Sequence, residues 1–168
     1  TVYSSTAAGG IELAPAPGYM DNRGIFGNIG QGQYIDGPRA SFSGGAGLLS
    51  TAHDYATFLQ MMLNGGEFNG ARILSPNTVK LMTVNHLGEV PFRPGQGFGL
   101  GFSVVTDLGA RGAPGSVGEF GWAGAYHSTY WADPEEELAA VYLTQLIPAI
   151  NVDDNVKFRS LLYQAIID

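Results

Sequence analysis

Residues 118–146 read GEFGWAGAYHSTYWADPEEELAAVYLTQL, a row of strand-like segments joined by very short turns. Parallel strands need a crossover of about a dozen residues or more, so segments this close in sequence pair only antiparallel. GFGLGFSVVTD at 97–107 reads as a strand with glycines on one face, and GARGAPGS at 109–116 as a loop. The chain closes on NVDDNVKFRSLLYQAIID, a helix that Asn151 or Asp153 could cap. Val156, Leu161, Leu162, Ala165 and Ile166 give it an apolar stripe suited to covering a sheet. The expectation is α+β: an antiparallel three-stranded meander over about 97–146, a C-terminal helix packed on it, and a helical and loop segment over about 50–84.

The earlier part of the chain is less regular. Residues 1–47 are rich in loop formers, with only Ile11 to Leu13 hinting at a strand. A helix is clear after Thr51, which serves as N-cap with Asp54 as a first-turn acid. Tyr55, Phe58, Leu59 and Met62 share one face of it, and Gly65-Gly66 ends it. A shorter helix opens at Ser75 with Pro76 in its first position, burying Val79 and Met82.

Composition narrows the function classes. A chain of 168 residues is one domain in size and long enough for a real core. Eight Lys and Arg against fifteen Asp and Glu leave a net charge of -7, which disfavours nucleic acid and anionic membrane surfaces. With no cysteine there is no thiolate nucleophile, disulfide or Cys-based zinc site. No apolar run approaches the roughly 20 residues needed to span a bilayer.

Nucleophile motifs are absent. There is no G-x-S-x-G elbow, and neither Lys80 nor Lys157 follows a serine by three, so there is no Ser-x-x-Lys. Ser50, three residues before His53, is more simply a helix entry. His53, His86 and His127 show no H-x-x-x-H spacing, so a metal site would need all three plus a distant acid. His127 reads either as a solvent-facing or hydrogen-bonded strand residue, or as a cleft residue touching substrate. Trp131 reads as core, Trp122, Phe98 and Phe102 as core or cleft wall, and Asp133 to Glu137 as a solvated turn. The glycines of GFGLGF have no phosphate-cradle register. Gly121 and Gly124 flank Trp122 at the mouth of a strand, where glycine weakens pairing unless another backbone or a ligand approaches closely.

Taken in order, SGGAGLLSTAHDYATFLQMMLNGG, NGARILSPNTVKLMT, GFGLGFSV and GWAGAYHSTYWADPEEELAAVYLTQ resemble one family. It is the serine β-lactamase-like hydrolases: class C β-lactamases, D-alanyl-D-alanine carboxypeptidases and family VIII esterases, the esterase branch being nearest. The resemblance covers nearly the whole chain and implies a partial β-lactamase/transpeptidase-like fold. It places the family's active-site strand triplet on Trp122, Ala123 and Gly124, and an oxyanion-hole backbone donor on Ala125. Tyr126 and His127 stand where the family has small residues, so the cleft floor is expected to be narrower.

The family's Ser-x-x-Lys and Tyr-x-Asn motifs are not matched; Tyr3-Ser4-Ser5 echoes the second only superficially. The expectation is therefore the C-terminal part of such a bacterial enzyme over 1–168, loop and helical to 96 and sheet and helix from 97. It would contribute one cleft wall and the oxyanion strand without a nucleophile, and be inactive alone. The resemblance implies small ester or β-lactam-like amide substrates, no cofactor and no metal, and leaves cytoplasm or periplasm open. Non-catalytic binding module, and one subunit of a two-chain enzyme, remain as alternatives. A last strand at 138–146 would be an open edge inviting self-association or an N-terminal-half partner.

Overall fold

The computed structural model describes Ala14, Pro15 and residues 50–167 other than 125, 145, 148 and 150. In chain order the elements are β1 (Ala14–Pro15), α1 (Ala52–Leu63), β2 (Glu67–Phe68), β3 (Ala71–Arg72), α2 (Pro76–Met82), β4 (Gln96–Phe98), β5 (Ser103–Val105), α3 (Leu108–Arg111), β6 (Phe120–Ala123), β7 (Thr129–Asp133), β8 (Leu138–Tyr142), β9 (Leu146–Ile147) and α4 (Asp154–Gln164). Strands β4 to β8 form one antiparallel sheet in sequence order. The expected α+β architecture is present.

The meander has five strands where three were expected. Residues 97–107 are not one strand but a hairpin, because Gly101 takes a left-handed φ of 97° and the Gly99 N–H turns back to the Phe102 carbonyl at 2.8 Å. The expected strand at 138–146 likewise divides into β8 and β9. Between them Thr144 turns inward, its hydroxyl donating to the Tyr126 carbonyl at 2.6 Å. β9 pairs in parallel with β1, Leu146 opposite Ala14, so only the β8 part lies at the edge of the five-stranded order.

Helix α1 starts where its sequence dictates. The Thr51 hydroxyl accepts from the Asp54 N–H at 3.1 Å, and Gly65 and Gly66 stop it with φ of 66° and 93°, angles that cost glycine little. Its apolar face buries Leu59 and Met62 completely against Phe102, Val104, Phe120 and Ala132 of the sheet. The Tyr55 and Tyr130 rings lie 4.5 Å apart. Ser75 caps α2, and Pro76 occupies its first turn.

Strand pleating sends alternate residues to the opposite sheet face, where α4 packs. The expected stripe on α4 holds only in part: Leu162 and Ile166 are half-buried, but Ala165 is exposed and Val156 and Leu161 are 67% and 65% exposed. The covering face is instead aromatic and cationic. Phe158 meets Trp131 and Tyr142 at 5.8 and 5.0 Å, and Arg159 lies over Trp131 at 4.4 Å. Trp131 is core, as expected. Apolar counting missed this face because the helix meets a buried acid, Glu119, which accepts from both Arg111 and Arg159.

The turn after β7 is also not uniformly solvated. Glu135, Glu136 and Glu137 are exposed, but Asp133 is fully buried. One of its oxygens accepts from the Glu135 N–H at 3.2 Å and the other from the Tyr163 hydroxyl at 2.8 Å. Burial first, and then the Glu119 and Asp133 carboxylates, push the Tyr163 phenol far above its ordinary value.

Candidate functional site

The site is built on the end of β6 and the hairpin loop that follows. β6 pairs with β7 along its whole length, from Phe120 opposite Ala132 to Ala123 opposite Thr129. Its pairing with β5 covers only Phe120 and Gly121. Trp122 and Ala123 therefore run past β5, and on that side their backbone edge is not paired with β5. Gly121 is required by packing rather than by a ligand: a Cβ there would strike the Tyr130 carbonyl and the Trp131 Cα. Glycine in the strand thus marks a close backbone approach, but from within the sheet.

The tryptophan is half-buried beside the segment that leads into β4. Its ring lies parallel to Phe92 at 6.4 Å and edge-on to Phe98 at 5.1 Å. The Arg93 guanidinium sits 4.9 Å from the Trp122 ring centroid, within the range of a cation–π contact. Ala123 and Gly124, small and exposed, leave the strand end uncovered by side chains. Ala125, the expected backbone donor, lies outside the described residues.

The Gly124 N–H donates to the Ser128 carbonyl at 2.7 Å, and the His127 N–H donates to the Gly124 carbonyl at 3.1 Å. A tight hairpin results, and β7 begins only at Thr129. His127 ends the loop with φ of 64°, left-handed as in three-residue hairpin loops where glycine is usual. For a residue with a Cβ this conformation costs about 1–2 kcal/mol.

The His127 side chain turns toward α4. Its Nε2 lies 2.7 Å from Asp154 Oδ1, and the Tyr142 hydroxyl donates to Asp154 Oδ2 at 2.7 Å. Tyr142 first and His127 second hold the Asp154 carboxyl below its ordinary value, and the same contact raises the Tyr142 phenol. Asn155 Nδ2 donates to the His127 carbonyl at 3.3 Å and lies 3.4 Å from Nδ1. This arrangement makes Nδ1 the acceptor and Nε2–H the donor. Of the two readings of His127, the hydrogen-bonded one describes its contacts.

The hairpin is also held from β8's continuation. The Ser128 hydroxyl donates to the Thr144 carbonyl and accepts the Thr144 N–H, both at 3.2 Å. Sequence reasoning missed Phe92, Arg93, Tyr142 and Asp154 as neighbours of the site. Asp154 carried only the signal of a helix start, and the others none. His53 and His86 are elsewhere, the latter bonded to the Leu81 carbonyl at 2.7 Å. Among the described residues, no three His, Asp or Glu side chains gather as metal ligands.

The family model described as Beta-lactamase matches residues 3–158. An uncharacterized protein of Mycobacterium tuberculosis is 41% identical over 128 residues, covering 69% of this chain and 32% of its own length. A Salmonella newport protein, provisionally named a D-alanyl-D-alanine carboxypeptidase, is 33% identical over 101 residues, covering 60% and 23%. Among solved structures, EstCE1, a hydrolase with promiscuous acyltransferase activity, superposes with a TM-score of 0.65 at 26% identity, covering 78% of this chain and 34% of that one. The chain spans about a third or less of these relatives.

Proposed function

The chain belongs to the beta-lactamase family, and on that premise we propose that it supplies the oxyanion wall of a serine hydrolase acting through an acyl-enzyme on small esters or β-lactam-like amides. The observation carrying this reading is the end of β6, where Trp122 and Ala123 extend beyond their pairing with β5. A reacting carbonyl needs a backbone edge not taken up by a neighbouring strand, with donors about 3 Å from the developing oxyanion. The Gly124 N–H is committed to Ser128, so the donor assigned is the next amide, that of Ala125. Trp122, Ala123, Gly124 and Tyr126 line the cleft.

The sequence contains no Ser-x-x-Lys, so the nucleophile and its base come from outside these 168 residues. The chain incubated with a chromogenic short-chain ester and with a cephalosporin reporter is expected to give no turnover above buffer. Joined to, or mixed with, a family segment bearing Ser-x-x-Lys, it is expected to turn the ester over. Turnover by the chain alone would overturn the assignment of the nucleophile. A correctly folded pair that stays inert would favour the non-catalytic binding module instead.

We also infer that the outer edge of β8, last in the sheet order, pairs with a second copy or with an N-terminal-half partner, as unpaired strand edges do. Sedimentation of the chain alone should then show a dimer that weakens when Val141 is replaced by proline, which removes a ladder donor. A monomer at all concentrations would contradict pairing between copies.

A further inference from the structure

His127 occupies a conformation that favours glycine, with φ of 64°, and does so in the loop next to the proposed oxyanion amide. A strained residue persists only where its surroundings over-determine it. Here two consecutive residues of α4 grip it: Asp154 Oδ1 takes the imidazole at 2.7 Å, and Asn155 Nδ2 donates to its backbone carbonyl at 3.3 Å. Tyr142, at the end of β8, fixes the other Asp154 oxygen at 2.7 Å. The imidazole side chain is only 14% exposed, while its partner Asp154 is 40% exposed, so water reaches the latch from the carboxylate side alone.

The helix that grips the loop is itself anchored to the sheet. Arg159 donates to the buried Glu119 and, from Nε, to the Pro114 carbonyl at 3.0 Å. Tyr163 closes on Asp133 at 2.8 Å. A rigid path of hydrogen bonds therefore runs from the sheet core through α4 to a single loop residue. Thr144 secures the neighbours Tyr126 and Ser128, which leaves the pitch of the loop between them to His127.

We propose that His127 is a positioning residue, latched by Asp154 and Tyr142, that sets the orientation of the β6–β7 loop for the acyl-transfer site; this rests on the reading of that loop as the oxyanion side. Its side chain does no chemistry on the substrate. It holds the backbone that does, in place of the glycine that would fit the loop but leave it free.

The test is amide hydrogen exchange and ¹⁵N line shape at Gly124, Tyr126 and Ser128 in the labelled chain, with the Trp131 amide as a reference for global stability. It needs no turnover, so its failure is distinct from failure of the hydrolase reading. His127→Ala keeps the strain and loses the latch; His127→Gly loses both. His127→Ala is expected to speed loop exchange about tenfold, the scale of one lost hydrogen bond, and His127→Gly by less because relief of strain offsets the loss, with Trp131 unchanged in both. His127→Gln, whose amide nitrogen reaches where Nε2 does, should restore slow exchange. Loop exchange in His127→Ala as slow as in the native chain, or no rescue by glutamine, would overturn the proposal. If His127→Ala does not fold, Tyr142→Phe carries the test. Faster loop exchange supports the latch, and unchanged exchange refutes it.

Discussion

Replacing the peptide N–H of Ala125 with an ester oxygen should lower acyl turnover by about 10²–10³-fold in the assembled enzyme. That replacement deletes the donor while keeping the residue's shape and side chain. The effect is expected on kcat and kcat/KM alike, because the hydrogen bond strengthens only as negative charge develops on the carbonyl oxygen. The equivalent replacement at Gly124 is the control. Its N–H is spent on Ser128 at 2.7 Å, so its loss should weaken the hairpin without the same fall in rate. An Ala125 ester that turns over at the native rate would remove the oxyanion role from this strand.

Glu119→Ala should destabilise the fold by about 3–5 kcal/mol, the usual result of stripping one partner from a buried ion pair. The Glu119 side chain is 4% exposed, and Arg111 and Arg159 are 11% and 12% exposed. Arg111 grips it with both guanidinium nitrogens, at 2.8 and 3.1 Å, and the Tyr163 oxygen lies 3.0 Å from Oε2. Removing the carboxylate leaves two sheltered cations facing each other with no counter-charge between them, Arg159 keeping only the Pro114 carbonyl. Urea unfolding followed by Trp131 fluorescence measures the change, since Arg159 stacks on that ring. A loss under about 1 kcal/mol would mean that the cations are solvated as surface groups are. Loosening α4 should also loosen the loop that His127 ties to it, so Glu119→Ala should raise exchange at Gly124 as well.

Much of the local architecture was legible before folding. Thr51 and Ser75 cap helices because hydroxyls satisfy first-turn amides wherever they occur, and both do so. The period-3.6 face of α1 buries Leu59 and Met62 as its spacing requires. Short turns made the sheet antiparallel. These are local rules, decided by residues within a few positions of one another.

Other features were not legible, for a common reason. The sheet-facing side of α4 reads as polar, because its partners are Glu119 and Asp133, distant in sequence and buried by the fold. The two halves of 97–107 pair with each other only because Gly101 turns, which the glycine spacing alone does not dictate. Gly121 invited a ligand in the sequence, and packing against Tyr130 and Trp131 answers for it instead.

The sequence by itself determined an antiparallel α+β fold and the starts of α1 and α2, since each depends on side-chain period, caps and turn length. Only the tertiary structure decided that the β5 pairing stops short of Trp122, that Glu119 joins two arginines, and that His127 meets Asp154 across 27 positions. Those depend on which distant groups share a buried space, where an unpaired charge or an unsatisfied amide is too costly to leave alone.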